Sequence, residues 1–583
     1  MFGGGLETGA TEKFTHKLSG VKKPQTFEAA DIINFTDTTL GHRFMAPDAI
    51  EVTGFDDYRK KLEKAMVVLD QKERRQRIKD AAEKLAKEEN LSLRADDGLL
   101  NEVAGLVEYP EVLMGRIDPH FMELPSEVLT VSMKTHQKYF SLEDAEGELA
   151  SRFITVANIS APVGTEVRDN IVAGNERVLR ARLADAEFFW QQDRKQSLDS
   201  RVPELQDVVF HAKLGSMHHK VDRIEALAML IAGLLDHSDR DQVRSAARLA
   251  KADLVSEMVG EFPELQGIIG GHYAAAEGEP EAVCRAIAEH YAPLGPNDRC
   301  PSEPVSVAVA LADKIDSLAG FFSIGEKPTG SKDPYALRRA ALGIIRMIVE
   351  NRLRLPLAEA LEEAYRMQPT EAQHGMMSRL AAAGTAGDTH SAGNSVKLGE
   401  HALAEEVLNF LADRLKVVLR DEGVRHDLIS AVFAVEKPDG GREDDFVRLL
   451  ARVRALGEFL DTEDGNNLLT AYRRAANIVR IEEKKDDKSY GSEVAEEKLS
   501  EAQEKALFNA LAEAESEASE ALQEEDFTRA MGALAALREP VDEFFDNVTV
   551  NVEDAGLRRN RLRLLRHIER TLSRVADFSK IEG

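Results

Sequence analysis

Between Leu557 and Ile568 five arginines, Arg558, Arg559, Arg561, Arg563 and Arg566, alternate with Leu557, Leu562, Leu564, Leu565 and Ile568. The pattern predicts a helix that buries one side and offers guanidinium groups to phosphates on another. It closes a helical C-terminal region after a short exposed segment that follows Phe544. The rest of the chain has the opposite sign, with a formal net charge of −28. Long-range attraction to phosphate is therefore lacking, which argues against a general nucleic-acid coat. A specific RNA face built from local arginine clusters stays open.

A chain of 583 residues should divide into three or four domains, each with its own core. Its 43% hydrophobic and 31% charged residues suit a soluble, helix-rich protein. No apolar run reaches bilayer length. The opening Met1-Phe-Gly-Gly-Gly-Leu-Glu-Thr-Gly-Ala10 lacks the regions of a secretory signal. The expectation is a cytoplasmic protein with no membrane partner. Cys284 and Cys300 show no CxxC spacing and support neither a disulfide framework nor a Cys-rich zinc site.

Along the chain, residues 1–55 read as the remnant of a β-containing domain and 56–164 as an α/β body. That body opens with a long charged helix from Asp56 to about Asn90, with Leu62, Met66, Leu69 and Ile78 on its apolar stripe. Strands are expected at 112–117, 139–142 and 153–157, with a hairpin turn at Asp144-Ala-Glu-Gly147. Residues 165–365 are almost continuously helical, 366–398 read as a polar insertion or loop, and 399–464 as a helical connection. Breaks are expected at Lys437–Gly441 and in the charged run Glu482–Lys488, and 465–583 form the helical C-terminal domain. The fold class is α+β, multidomain and predominantly α-helical.

His211, His218, His219, Asp253, His272 and Asp313 fall on successive helices in roughly the order used by HD-type phosphohydrolases, where such side chains converge on metal. The segment that should carry a His-Asp pair reads Leu249-Ala-Lys-Ala-Asp-Leu254. Lys251 replaces the histidine, and an ammonium repels a cation, so no metal ligands are assigned. Gly325–Ala340 is no Walker A, lacking GxxxxGK[ST] and a preceding strand. Asp333-Pro334 suits a helix start where a phosphate or carboxylate could sit, and a plain capped turn is an equal reading. Lys251, Lys332, Arg338 and Arg339 are weaker RNA-contact candidates. Arg473, Arg474, Asn477 and Arg480 lie within two turns of a helix. There Asn could read a base edge while Arg pairs with phosphate or stacks. No nucleophile–base pair or nucleotide-binding signature stands out, so no catalytic residue is assigned to this chain.

Several long segments carry a family resemblance. They include Gly41-His-Arg-Phe-Met-Ala-Pro47, Met133-Lys-Thr-His-Gln-Lys-Tyr-Phe140, Gly174-Asn-Glu-Arg-Val-Leu-Arg-Ala-Arg-Leu-Ala-Asp-Ala-Glu-Phe-Phe-Trp190 and Lys213-Leu-Gly215. Further on come Ala310-Leu-Ala-Asp-Lys-Ile-Asp316, Pro328-Thr-Gly-Ser-Lys-Asp-Pro-Tyr-Ala-Leu-Arg-Arg339 and Leu537-Arg-Glu-Pro-Val-Asp542. From about residue 30 onward the chain resembles the β subunit of bacterial heterotetrameric glycyl-tRNA synthetase, a glycine–tRNA ligase. The resemblance implies a degenerate HD-like helical domain and a C-terminal anticodon-binding domain of the arginyl-tRNA-synthetase type. It implies an α2β2 assembly whose α subunit uses ATP and Mg2+ to make glycyl-adenylate, while this chain binds and positions tRNA(Gly). No DNA partner is implied. It also makes Arg473, Arg474, Asn477, Arg558, Arg559 and Arg561 tRNA-contact candidates. Family members carry a longer N-terminal region, so this chain corresponds to an N-terminally shortened version. Two rival readings are a metal-dependent HD-type nucleotide phosphohydrolase and a purely structural subunit.

Overall fold

The computed structural model describes residues 37–162, 164–236, 238–382, 392–435 and 443–582, together with the backbone of two short N-terminal strands. The chain forms two compact units, residues 1–191 and 192–583.

The first unit begins with two small antiparallel pairs, Phe14–His16 with Gln25–Phe27 and Thr38–Leu40 with Ala49–Glu51. The single long helix expected from Asp56 is two, Phe55–Lys64 and Gln71–Glu88. Met66 takes a positive φ between them, and Asp70 caps the second by accepting the Lys72 N–H. An antiparallel sheet follows in the order Ser92–Leu93, Phe140–Glu143, Leu149–Ala157, Glu111–Arg116. The hairpin turn falls at Asp144–Gly147 as expected, closed by Gly147 N–H to Asp144 O. Alternation places neighbouring side chains on opposite faces. Ile154 joins Ile78, Leu99 and Phe140 in one core, and Phe153 joins Phe121, Met133 and Leu179 in another. Gly115 pairs with Phe153, where a Cβ would stand 2.3 Å from the ring.

In the second unit the helix Pro304–Ser323 is buried over almost its whole length. Around it pack Met217–Ala232, Arg240–Leu249, Glu281–Glu289, Leu337–Glu350 and Leu357–Arg366. Of the stretch 366–398 read as a polar insertion or loop, residues 383–391 lie outside the described residues, and helix is present on either side. Thr370–Ala382 buries Ala372 and Met376, and another helix runs from Ala392 to Asp421. The break expected at Lys437–Gly441 lies outside the described residues. The C-terminal region comprises the helices Phe446–Leu460, Glu463–Asp486, Ala502–Gln523, Phe527–Ala535, Arg538–Asn547 and Ala555–Ser573. The fold is thus predominantly α-helical, with its larger sheet confined to the first unit. No helix among the described residues is long and apolar enough to cross a membrane.

Candidate nucleic-acid interface

The arginine helix Ala555–Ser573 is capped by Asp554, whose carboxylate accepts the N–H groups of Gly556 and Leu557. Leu562, Leu564, Leu565 and Ile568 are fully buried. Its arginines divide by face. Arg561 is buried, paired with Glu504, and donates to the Thr549 carbonyl at 2.7 Å. Burial pushes the Glu504 carboxyl up. The N–H groups of Glu501 and Ser500, with the Arg561 guanidinium, outweigh it and hold the group below its usual range. Arg558 bridges Glu482 and Asp486 and donates to Asn551 at 3.1 Å. Both guanidiniums thus fasten this helix to its neighbours.

Arg559, Arg563, Arg566 and Arg570, spaced by four, three and four, share the other face. Arg559 and Arg570 are exposed, neither guanidinium makes a hydrogen bond among the described residues, and the Arg570 charge is felt by Glu515. Arg563 donates to the Glu493 carbonyl at 3.2 Å, and Arg566 pairs with Glu569 at 2.7 Å. With Phe508 and the loop Gly491–Val494, Arg563, Arg566 and Arg570 line a cavity of about 180 Å³.

The adjoining helix Glu463–Asp486 turns Glu482 and Asp486 towards Arg558 and carries a second outer stripe. Arg474 is exposed and lies over the Phe545 ring at 4.2 Å, a cation–π contact. Arg480 donates to Asn477 Oδ1 at 3.0 Å, and both are exposed. Arg473 is half-buried and donates to the Ile581 carbonyl at 2.7 Å. The run 482–488 is not the loop expected from its charge, because the helix continues to Asp486 and ends at Asp487 in the left-handed conformation. This continuation sets Lys484 one turn beyond Arg480, and Lys488 follows just past the cap. Both are exposed and unpaired among the described residues. Sequence reasoning passed over Lys484, Lys488 and Arg570. For Lys484 the signal is the spacing 477, 480, 484, visible once the helix is extended, and for Arg570 the spacing 559, 563, 566, 570.

In the central domain the histidines do not converge. His218 faces Asp222 at 3.3 Å, and His219 closes a capping box with Ser216. Asp253 is fully buried and accepts from the Gly267 and Gly270 N–H groups, and burial raises its pKa to about 6. Asp313 meets Lys220 at 3.0 Å and Lys251 at 3.1 Å, while Asp316 pairs with Lys220 at 2.9 Å and Arg223 at 2.6 Å. Burial pulls Lys251 down to about 8 against the attraction of Asp313. Ammonium groups occupy the carboxylates that an HD centre would offer to metal. No group of three potential ligands close enough to hold a metal occurs among the described residues. Lys251 is buried there, away from any RNA surface. Asp333 itself accepts the Leu337 and Arg338 N–H groups, filling the helix start where a phosphate was considered. Arg338 donates to the Gly330 carbonyl at 2.7 Å, whereas Lys332 and Arg339 are exposed and unpaired among the described residues.

Comparison with known proteins adds to this geometry. Residues 23–434 match the family described as Glycyl-tRNA synthetase beta subunit, and residues 468–582 match the DALR anticodon binding domain. The glycine–tRNA ligase beta subunit of Rhodospirillum centenum is 52% identical over 583 residues, covering all of this chain and 77% of that protein. The protein of the same description from Ruegeria sp. is 48% identical over 561 residues, 95% of this chain and 75% of that one. That of Phenylobacterium zucineum is 48% identical over 551 residues, 94% and 75% respectively.

Proposed function

The chain belongs to the glycyl-tRNA synthetase beta subunit family, and we propose that the two outer cationic stripes of its C-terminal domain hold tRNA(Gly) by the anticodon arm. As such a subunit it is part of a glycine–tRNA ligase. The observation that carries the binding surface is the segregation of charge. Arg558 and Arg561 are consumed by carboxylates, while Arg474, Arg480, Lys484 and Arg559 are exposed without carboxylate partners among the described residues. Ammonium and guanidinium groups so placed suit phosphates, and Asn477 suits a base edge. The cavity beside Phe508 suits an unpaired anticodon base, stacked on the ring and bonded by Arg563, Arg566 or Arg570.

A separate alpha subunit, in an α2β2 tetramer, performs the adenylation with ATP and Mg2+ in the cytoplasm. This chain contributes by holding the acceptor hydroxyl in reach, which turns a two-body encounter into an effectively intramolecular one. The test is glycine charging of tRNA(Gly) transcripts by this chain and the alpha subunit, separately and mixed. Charging by the mixture alone, lost when the anticodon is changed, is expected. Full charging by the alpha subunit alone would instead favour the structural-subunit reading. The phosphohydrolase reading is disfavoured by the ammonium groups on Asp313.

A further inference from the structure

Two segments singled out in the sequence, Lys213-Leu-Gly215 and Pro328–Arg339, take no part in the C-terminal interface, yet the fold brings them together. The hairpin Val209–His211 with Gly215–Ser216 presents Phe210 and His211 to the end of the buried helix Pro304–Ser323. The Phe321 ring on that helix meets Phe210 and His211 with centroids 5.6 Å away in each case. Tyr335 stacks on Phe321 at 4.0 Å with 19° between the planes, and its edge meets His211 at 5.8 Å. The result is an aromatic column that is buried at Phe321 and surfaces at Tyr335, which is 38% exposed.

The column has a fixed base. Lys220 lies 4.7 Å over the Phe210 ring while it bonds Asp313 and Asp316 in the buried ion network. Cations flank its outer end in sequence, and the cavity that Lys213 lines also holds Asp222 and Glu371. Lys213, two residues beyond His211, and Lys332, three before Tyr335, are exposed, as is Arg339 on the helix Leu337–Glu350. None has a hydrogen bond or ion pair for its side-chain cation among the described residues. For Lys332 and Arg339 the nearest acid in sequence is Asp333, and its carboxylate is occupied by two backbone N–H groups. In a chain of net charge −28, two exposed, unpaired cations within four residues of a surfacing tyrosine, and a third two residues from the His211 ring it touches, need a reason.

We propose that this is a second RNA contact, a stacking platform for the unpaired 3′ nucleotides of the same tRNA, with Tyr335 receiving a base and Lys213, Lys332 and Arg339 the adjoining phosphates. Aromatic faces accept any base, and cations beside them track the backbone. The assignment rests on the tRNA-binding reading above. The anticodon arm engages the C-terminal domain, which leaves the acceptor strand as the other unpaired segment that the reaction must place. Tyr335 and its rim are positioning groups, with the chemistry elsewhere.

The test uses the full-length chain, folded as judged by circular dichroism, with two tRNA(Gly) transcripts, intact and lacking the unpaired 3′ nucleotides. Tyr335→Ala should weaken binding of the intact transcript by at least about fivefold and leave the shortened one unchanged. Tyr335→Phe, which keeps the ring, should match wild type on both. The triple Lys213→Ala/Lys332→Ala/Arg339→Ala change should weaken intact binding and flatten its salt dependence. Wild-type binding by a folded Tyr335→Ala chain, or equal losses on both transcripts, would overturn the platform. So would a variant that keeps its RNA affinity and loses association with the alpha subunit, which would make the surface a protein interface. Lys484→Ala/Lys488→Ala serves as the control for the underlying reading. If that pair, and Arg474→Ala/Arg559→Ala in addition, leave tRNA binding intact, the C-terminal interface fails, independently of the platform.

Discussion

Neighbouring arginines in one helix do opposite work, and a single position decides which. Arg561 and Arg559 are two residues apart, yet Arg561 is buried against Glu504 and Arg559 is exposed. Arg561→Ala leaves a buried carboxylate without its partner, a loss of about 3–5 kcal/mol for such a site. It should lower the melting temperature clearly, whereas Arg559→Ala should leave melting unchanged and weaken tRNA binding. Equal melting of the two variants would refute the division of the helix into two faces. Composition could not make this distinction, because five arginines in a row of leucines fix an amphipathic helix but not which cations meet carboxylates from distant elements. The same holds for Lys251. Its repulsion of a metal was legible, but its burial against Asp313 depends on a helix some sixty residues away. Burial raises the Asp313 carboxyl, but Lys220 and Lys251 overcome this and hold it far below its ordinary 3.8. A depressed carboxylate stabilises above its unfolded pKa, and that stability is lost as pH falls. Asp313→Asn should therefore melt well below wild type at pH 7, with the gap closing progressively as pH drops below about 4.

Elements were most legible where periodicity and turn chemistry agreed. The hairpin at Asp144–Gly147 and the strands around it follow from alternation and from a glycine at positive φ. Polar composition was a poor guide to loop in two places. Thr370–Ala382 is small and polar in sequence, but Ala372 and Met376 give it an apolar edge to bury. The run 482–488 carries both signs, and Arg558 neutralises its acids from the neighbouring helix, so the helix is stabilised through its last turn. That continuation is what lines up Asn477, Arg480 and Lys484, with Lys488 just past the cap. If the stripe meets phosphates, each lysine should contribute about 0.7–0.9 to the slope of log K against log salt. The Lys484→Ala/Lys488→Ala pair should then reduce the slope by roughly 1.5, measured by titration with an isolated anticodon stem-loop. An unchanged slope would remove both lysines from the interface.

At the scale of the whole molecule the net charge and the local stripes act over different distances, and salt separates them. The screening length is about 30 Å at 0.01 M and about 10 Å at 0.1 M salt. At the lower concentration an approaching tRNA senses much of the −28 formal charge and is repelled. At the higher one it senses chiefly the patch it is about to touch, where Arg474, Arg480, Lys484 and Arg559 are exposed. The association rate constant of this chain with tRNA(Gly) should therefore rise as salt increases from 0.01 M towards 0.1 M and fall beyond it. The dissociation rate should rise throughout, because the phosphate contacts themselves weaken. Stopped-flow measurement of both rates distinguishes this from a protein steered by its total field. A monotonic fall of the association rate from the lowest salt would mean that the cationic stripes dominate the potential even at long range. A monotonic rise across the whole range would mean that they do not guide the encounter at all. The acidic bulk thus assigns discrimination to contact rather than to attraction. At low salt an RNA that cannot fill the cationic stripes would gain nothing to offset the repulsion, while choice among tRNAs, whose phosphates are alike, would fall to base contacts such as that proposed for Asn477.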